Sequence, residues 1–157
     1  IMVSHMSTTN EQIRFSLAIC TRERPKMLNE LLKSIVALNI TPSTSLHVVV
    51  IENGLEIRAK QLVSGFRDRL TIEYFHEPET GLVYARNDAI KKSLDFGSDW
   101  IGFIDDDERM DKQWLYGMHE AIESFPSSLA FAGPVNRIQP ENATKLFPVP
   151  TQQIEKT

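Results

Sequence analysis

The chain has 157 residues, the size of one domain, with 41% apolar and 24% charged residues, ordinary globular values that exclude disordered, collagen-like and fibrous classes. A formal net charge of -4 without any Lys/Arg run argues against a general nucleic-acid binder, so a polyanionic partner has to be met locally. The single cysteine, Cys20, has no internal disulfide partner, and there is neither a secretory leader nor an apolar run of membrane-spanning length. The sequence therefore reads as cytoplasmic without a transmembrane segment, a location compatible with peripheral contact at a membrane.

Residues 1–6 contain Ser4-His5-Met6 and read as a cloning scar, with Met6 the expected native start. The folded domain is expected over 14–135, where short apolar runs alternate with helical stretches, the pattern of a mostly parallel sheet covered by helices. Residues 15–20 form the first strand. Pro25 then opens a helix whose Leu28, Leu31, Leu32, Ile35 and Leu38 share one face. Residues 47–51 are an unbroken, β-branched apolar run suited to a central strand, and Leu62, Val63 and Phe66 mark the next helix. Residues 70–75 alternate, as at a sheet edge. Gly81 leads into a helix over 83–94 that stops near Gly97, residues 100–104 form the fourth strand, and 112–124 form an amphipathic helix through Trp114, Leu115, Met118 and Ile122. Residues 129–135 are expected as a fifth strand, and 136–157, interrupted by Pro140, Pro148 and Pro150, as an irregular tail.

The polar residues directly after each apolar strand carry the functional signal. Thr21-Arg22 comes after the first, Glu52-Asn53 after the second, His76-Glu77 after the third and Asp105-Asp106-Asp107-Glu108 after the fourth. In an open parallel sheet these are carboxyl ends of strands, where ligands bind at a switch in strand order. Any one such cluster is how a loop ordinarily begins; four on one edge point to a site. Carboxylates ~5 Å apart repel by roughly 3 kcal/mol at an effective dielectric of 20, so an acidic run beside an apolar strand calls for a cation. A solvated acidic turn capping the next helix would explain an isolated run. Placed directly after Trp100-Ile101-Gly102-Phe103-Ile104, it reads instead as a site for Mn²⁺ or Mg²⁺, hard ions that need one or two protein carboxylates when phosphate oxygens complete the shell. No phosphate-binding Gly-rich loop, zinc-spaced Cys/His set or nucleophile elbow is present. His47, His76 and His119 read as structural or surface residues, and Cys20 as a small hydrophobe.

Four segments together resemble the family 2 glycosyltransferases of the GT-A fold. Residues 16–25, Ser-Leu-Ala-Ile-Cys-Thr-Arg-Glu-Arg-Pro, resemble the opening strand and loop that hold the base and ribose, which implies nucleotide contacts from Thr21, Arg22 and Arg24. Val50-Ile51-Glu52-Asn53-Gly54 resembles the base-reading motif, with Glu52 where aspartate is usual and Asn53 beside it. Gly81-Leu82-Val83-Tyr84-Ala85-Arg86-Asn87 resembles the Gly-x-x-x-Ala-Arg-Asn segment beside the nucleotide, implicating Gly81, Arg86 and Asn87. Phe103-Ile104-Asp105-Asp106-Asp107-Glu108, with Trp114-Leu115 shortly after, resembles the Asp-x-Asp metal motif, although Arg109-Met110-Asp111 lacks the proline often found after it.

The resemblance implies an α/β fold with an open, mostly parallel, doubly wound sheet and helices on both faces. It implies an inverting, metal-assisted transfer from a nucleotide-diphospho-sugar, of uridine type as first expectation, to a saccharide or lipid-linked acceptor. Asp107 is then the metal ligand, Asp105 lies on the ribose side, and Asp106 belongs to the nucleotide site. The family's general base lies downstream of the metal motif, so no catalytic base is assigned here, and 136–157 is expected to begin an acceptor region. Alternatives are a nucleotidyltransferase, whose usual Gly-rich basic loop is missing, and a non-catalytic nucleotide-binding domain. A phospho-receiver would want its acidic pair where Thr21-Arg22 stands.

Overall fold

A computed structural model describes residues 12–135. The expected scar at 1–6 and the tail at 136–157 lie outside the described residues. The elements run β1 (Ile13–Thr21), α1 (Pro25–Val36), β2 (Thr44–Asn53), α2 (Lys60–Ser64), β3 (Ile72–Glu77), α3 (Leu82–Asp95), β4 (Trp100–Asp105) and α4 (Trp114–Ser124). The four strands form one sheet in the order β3-β2-β1-β4, every pair parallel. Register matches Leu17 to Val48 and to Gly102, and Val50 to Tyr74.

Side chains alternate across a strand, so β1 and β2 feed two cores. Phe15, Leu17, Ile19, Val48 and Val50 face α1, α2 and α4 and pack on Leu28, Leu31, Leu32, Ile35, Val63, Phe66 and Leu115. Ala18, Val49 and Ile51 face the other way, onto Ala85 and Ala89 of α3. Small residues at 85, 89 and 93, one helical turn apart and all fully buried, give α3 a flat face against the sheet. Helices thus cover both faces, as expected of a doubly wound sheet. The chain moves from β1 to β2 to β3 over α1 and α2, then returns across the opposite face through α3 to β4. Right-handed crossovers require that change of face when the direction of travel reverses. The reversal leaves a switch point between the carboxyl ends of β1 and β4.

Gly102 lets α4 approach β4 closely: a Cβ there would stand 3.0 Å from the Phe15 ring and 3.3 Å from Trp114. Gly97, at φ +72°, ends α3 in the left-handed region, as its position predicts. The expected fifth strand is not formed: 129–135 has no sheet pairing, with Leu129 92% and Val135 80% exposed. An apolar run becomes a strand only when its backbone finds a ladder. Here the segment is held by side chains instead, with the Phe131 ring 5.4 Å from that of Trp100.

Candidate functional site

At the switch point the carboxyl ends of β1, β2 and β4 and the first turn of α3 enclose a cleft of ≈ 400 Å³. Its walls include Thr21, Arg22 and Arg24 after β1, Asn53 at the end of β2, Gly81 before α3, and Asp105, Asp106 and Asp107 at the end of β4. These residues come from segments up to 86 positions apart, Thr21 to Asp107, and meet because β1 pairs with both β2 and β4. Cys20, Leu82 and Ala85 also line it and carried no signal of their own. The two on α3 are placed by helical geometry once Gly81 is, since the first turn must share its wall.

The three aspartates are not equivalent. Asp106 turns inward, 7% exposed at its side chain, where it accepts a 2.8 Å hydrogen bond from the Thr21 hydroxyl and one of 3.4 Å from Arg24 Nη1. Asp105 and Asp107 turn outward, 69% and 54% exposed. The turn is closed by Glu108, whose carboxylate accepts from the Asp105 N–H at 3.0 Å while its own N–H donates to the Asp105 carbonyl at 3.1 Å. Arg24 Nη1 also lies 3.7 Å from Asp107. The Arg86 guanidinium reaches within 3.7 Å of Asp105 and lies over the Phe103 ring. Among the described residues no group of three or more His, Cys, Asp or Glu side chains is placed so that it could by itself hold a metal ion. An oxygen-only, part-exposed donor set fits a hard divalent ion that draws the rest of its shell from a bound ligand.

The α3 end of the cleft is polarised in the opposite sense. Gly81 caps the helix without a side-chain hydrogen bond, and no acidic residue stands in the first turn, so the positive end of the helix dipole faces the cleft uncompensated. Gly81 takes φ +152°, where a side chain would be strained, and a Cβ there would meet the Tyr84 ring at 3.0 Å. Asn53 holds this turn in place. Its amide donates to the carbonyls of Glu77 (3.1 Å) and Glu79 (2.7 Å), and its oxygen accepts from the Gly81 N–H at 2.9 Å.

Three residues assigned to the nucleotide site from the sequence, Glu52, Arg86 and Asn87, lie outside the cleft wall, as do His76, Glu77 and Glu108 of the polar clusters. Glu52, 1% exposed, spends its carboxylate on protein donors: the backbone N–H groups of Arg58 (2.9 Å) and Ala59 (3.0 Å) and the Tyr74 hydroxyl (2.6 Å). It ties the start of α2 to β3. Burial and this acceptor both push the Tyr74 hydroxyl pKa upward. Arg86 stands behind Asp105, and Asn87 is exposed on α3. The Cys20 thiol is pushed up to about 11, mainly by burial, so it remains protonated near neutrality and offers no thiolate nucleophile.

A doubly wound parallel sheet with an acidic cleft at its switch point defines the chain as an open-sheet α/β domain. The sequence places it more narrowly. The model of glycosyl transferase family 2 matches residues 16–153, and the chain belongs to that family. It is 33% identical over 128 residues to the succinoglycan biosynthesis protein ExoM of Rhizobium meliloti (strain 1021), covering 80% of this chain and 40% of ExoM. Among solved structures, S. aureus TarS residues 1–349 align with a TM-score of 0.63 at 22% identity, over 73% of this chain and 33% of that one. The same TarS fragment in complex with UDP-GlcNAc aligns with a TM-score of 0.60 at 23% identity, over 73% of this chain and 32% of that one, and a complex with UDP is similar. The chain thus spans well under half the length of these relatives, and the fold is that of the GT-A glycosyltransferases. Among the described residues no helix is long and apolar enough to cross a membrane.

Proposed function

We propose that this chain is the donor-binding part of an inverting glycosyltransferase that takes a nucleotide-diphospho-sugar, uridine type first, and passes the sugar to a saccharide or lipid-linked acceptor. The observation that carries this reading is the split acidic run, with Asp106 held inside by Thr21 and Arg24 while Asp105 and Asp107 stand exposed in the cleft opposite the uncapped start of α3. Such a cleft offers separate places for a ribose and for a diphosphate. The complexes of TarS with UDP and UDP-GlcNAc favour uridine among the bases.

In this reading Asp107 would hold a Mn²⁺ or Mg²⁺ ion, which would supply positive charge for the departing diphosphate. Asp105 takes the ribose side. Thr21, Arg22 and Asn53 border the base and ribose, and Asn53 acts chiefly by fixing the Gly81 turn, since both its amide hydrogens are already donated to carbonyls. Arg86, balanced on Asp105, adds positive potential behind the donor. The proton of the incoming acceptor hydroxyl needs a carboxylate on the face opposite the leaving group. Of the three carboxylates lining the cleft, Asp105 and Asp107 are assigned to the donor and Asp106 is engaged by Thr21 and Arg24, so we place that base outside the described residues.

The test is a thermal-shift panel of UDP, GDP, dTDP and CDP with and without Mn²⁺. A ligand at 100 times its dissociation constant stabilises the fold by about 2.7 kcal/mol, a clear rise in melting temperature. UDP with Mn²⁺ is expected to give the largest shift; no metal-dependent shift with any nucleotide defeats the proposal. Donor consumption by this polypeptide with a panel of sugar acceptors is expected to stay at the level seen with water alone, and acceptor-dependent turnover would place the base within residues 1–157.

A further inference from the structure

The geometry points to Arg24 as a built-in counter-cation that holds the acidic run when no metal is bound and competes with the divalent ion for Asp107. This rests on reading Asp107 as the metal-facing carboxylate. Arg24 Nη1 lies 3.4 Å from Asp106 and 3.7 Å from Asp107, so one guanidinium spans the buried and the exposed member of the run. The two contacts differ in kind. Asp106 is 7% exposed and also held by Thr21, whereas Asp107 is 54% exposed and meets Arg24 at the longer distance.

The backbone of Arg24 is anchored while its side chain, on two carboxylates, is half exposed. Glu23 before it takes φ +55°, a left-handed turn for a non-glycine residue, and Pro25 after it opens α1. The Arg24 carbonyl accepts the Leu28 N–H at 3.1 Å, locking the residue into the helix cap. The side chain remains 55% exposed. A fixed base with a half-exposed arm suits a group that gives up one carboxylate and keeps the other. When a divalent ion takes Asp107, Arg24 stays on Asp106, whose buried charge needs it, and its released N–H donors turn to the cleft.

The probe is Mn²⁺ alone, titrated into the wild-type chain, Arg24→Met, Arg24→Lys and the double variant Arg24→Met/Asp107→Ala, with free ion followed by electron paramagnetic resonance. Removing a unit charge a few ångströms from a divalent ion in a half-exposed site changes affinity on the order of ten-fold. Arg24→Met is expected to tighten Mn²⁺ binding by about that factor, Arg24→Lys to stay near wild type, and the double variant to lose the gain. Equal or weaker binding by Arg24→Met overturns the inference, as does no detectable Mn²⁺ binding by either it or the wild type. Should Arg24→Met fail to fold, side-chain ¹H–¹⁵N spectra of the wild type under Mg²⁺ titration decide the matter. The Arg24 Nε–H signal must move with the same midpoint as the Asp107 amide, and a stationary signal refutes competition. A UDP shift that persists while Arg24→Met binds no tighter leaves donor binding standing and removes only this inference. Tighter Mn²⁺ binding without any UDP shift does the reverse.

Discussion

The two ends of the sheet carry polar residues in similar number and use them differently. At the amino end, Arg14 pairs with Asp99 through the guanidinium (2.7 Å) and through its backbone N–H (2.8 Å), the Thr44 hydroxyl meets His119 Nδ1 at 3.0 Å, and Ser16 meets Ser98 at 2.6 Å. These polar groups are matched to one another. Burial pushes the Asp99 carboxyl up, but the Arg14 hydrogen bonds outweigh it and leave the pKa lowered. At the carboxyl end one aspartate is matched and two are left facing a cleft, with an uncapped helix start across from them. Polarity alone therefore does not mark a site. The carboxyl end differs in leaving the Asp105 and Asp107 carboxylates exposed, each beside one arginine at 3.7 Å.

The largest expected effect falls on the exposed aspartate. Asp107→Ala should abolish the Mn²⁺-dependent UDP shift while leaving the ligand-free fold intact or slightly more stable, because carboxylate repulsion is relieved. Asp111→Ala, outside the cleft wall, should do little. If the two variants exchanged roles in a thermal-shift experiment, the metal would have to be placed elsewhere.

Thr21→Val sharpens the contrast between matched and unmatched carboxylates. It strips the buried Asp106 of a 2.8 Å donor, a loss of about 1.5–3 kcal/mol for a hydrogen bond to a charged group, and should weaken UDP binding as well. Thr44→Val, its counterpart at the amino end, should cost about 1 kcal/mol in urea unfolding and leave UDP binding untouched. Arg14→Ala is expected to be smaller still, about 0.2–1 kcal/mol, since the Arg14–Asp99 pair is 56% and 41% exposed. A change in nucleotide affinity on altering Arg14 would break the comparison between the two ends.

The smallest effect is a slope with pH. His47 stacks on Phe96 at 3.8 Å, and burial lowers its pKa from 6.5, with Glu73 opposing the shift. The unfolded chain therefore takes up the proton first as pH falls, and the stability His47 contributes above about pH 6.5 declines below it. Melting temperature followed from about pH 7.5 to about pH 5 should fall less steeply in His47→Gln than in the wild type; parallel curves would count against a buried neutral imidazole.

Much of this protein is legible in the order of its residues. Periodicity placed α1 and the central β2, because a buried helix face and a strand covered on both sides leave strong apolar patterns. The polar residues that begin loops after β1, β2 and β4, above all Asp105 to Asp107 behind an apolar strand, located the cleft and its acidic wall. Whether 129–135 pairs as a strand was not legible, since pairing depends on a neighbouring edge rather than on the run itself. Nor was the division of labour within motifs. Glu52 and Asn53 are adjacent on β2, yet alternation sends the Glu52 carboxylate to α2 and the Tyr74 hydroxyl and the Asn53 amide to the Gly81 turn. Asp105, Asp106 and Asp107 are one residue type in a row, and only the hydroxyl of Thr21 and the reach of Arg24, brought from 85 and 82 positions away, decide which is buried and which are exposed. The sequence by itself determined the elements and the edge on which the charges gather, because those depend on local pattern. Tertiary structure decided which charges are neutralised within the fold, because that depends on partners distant in the chain.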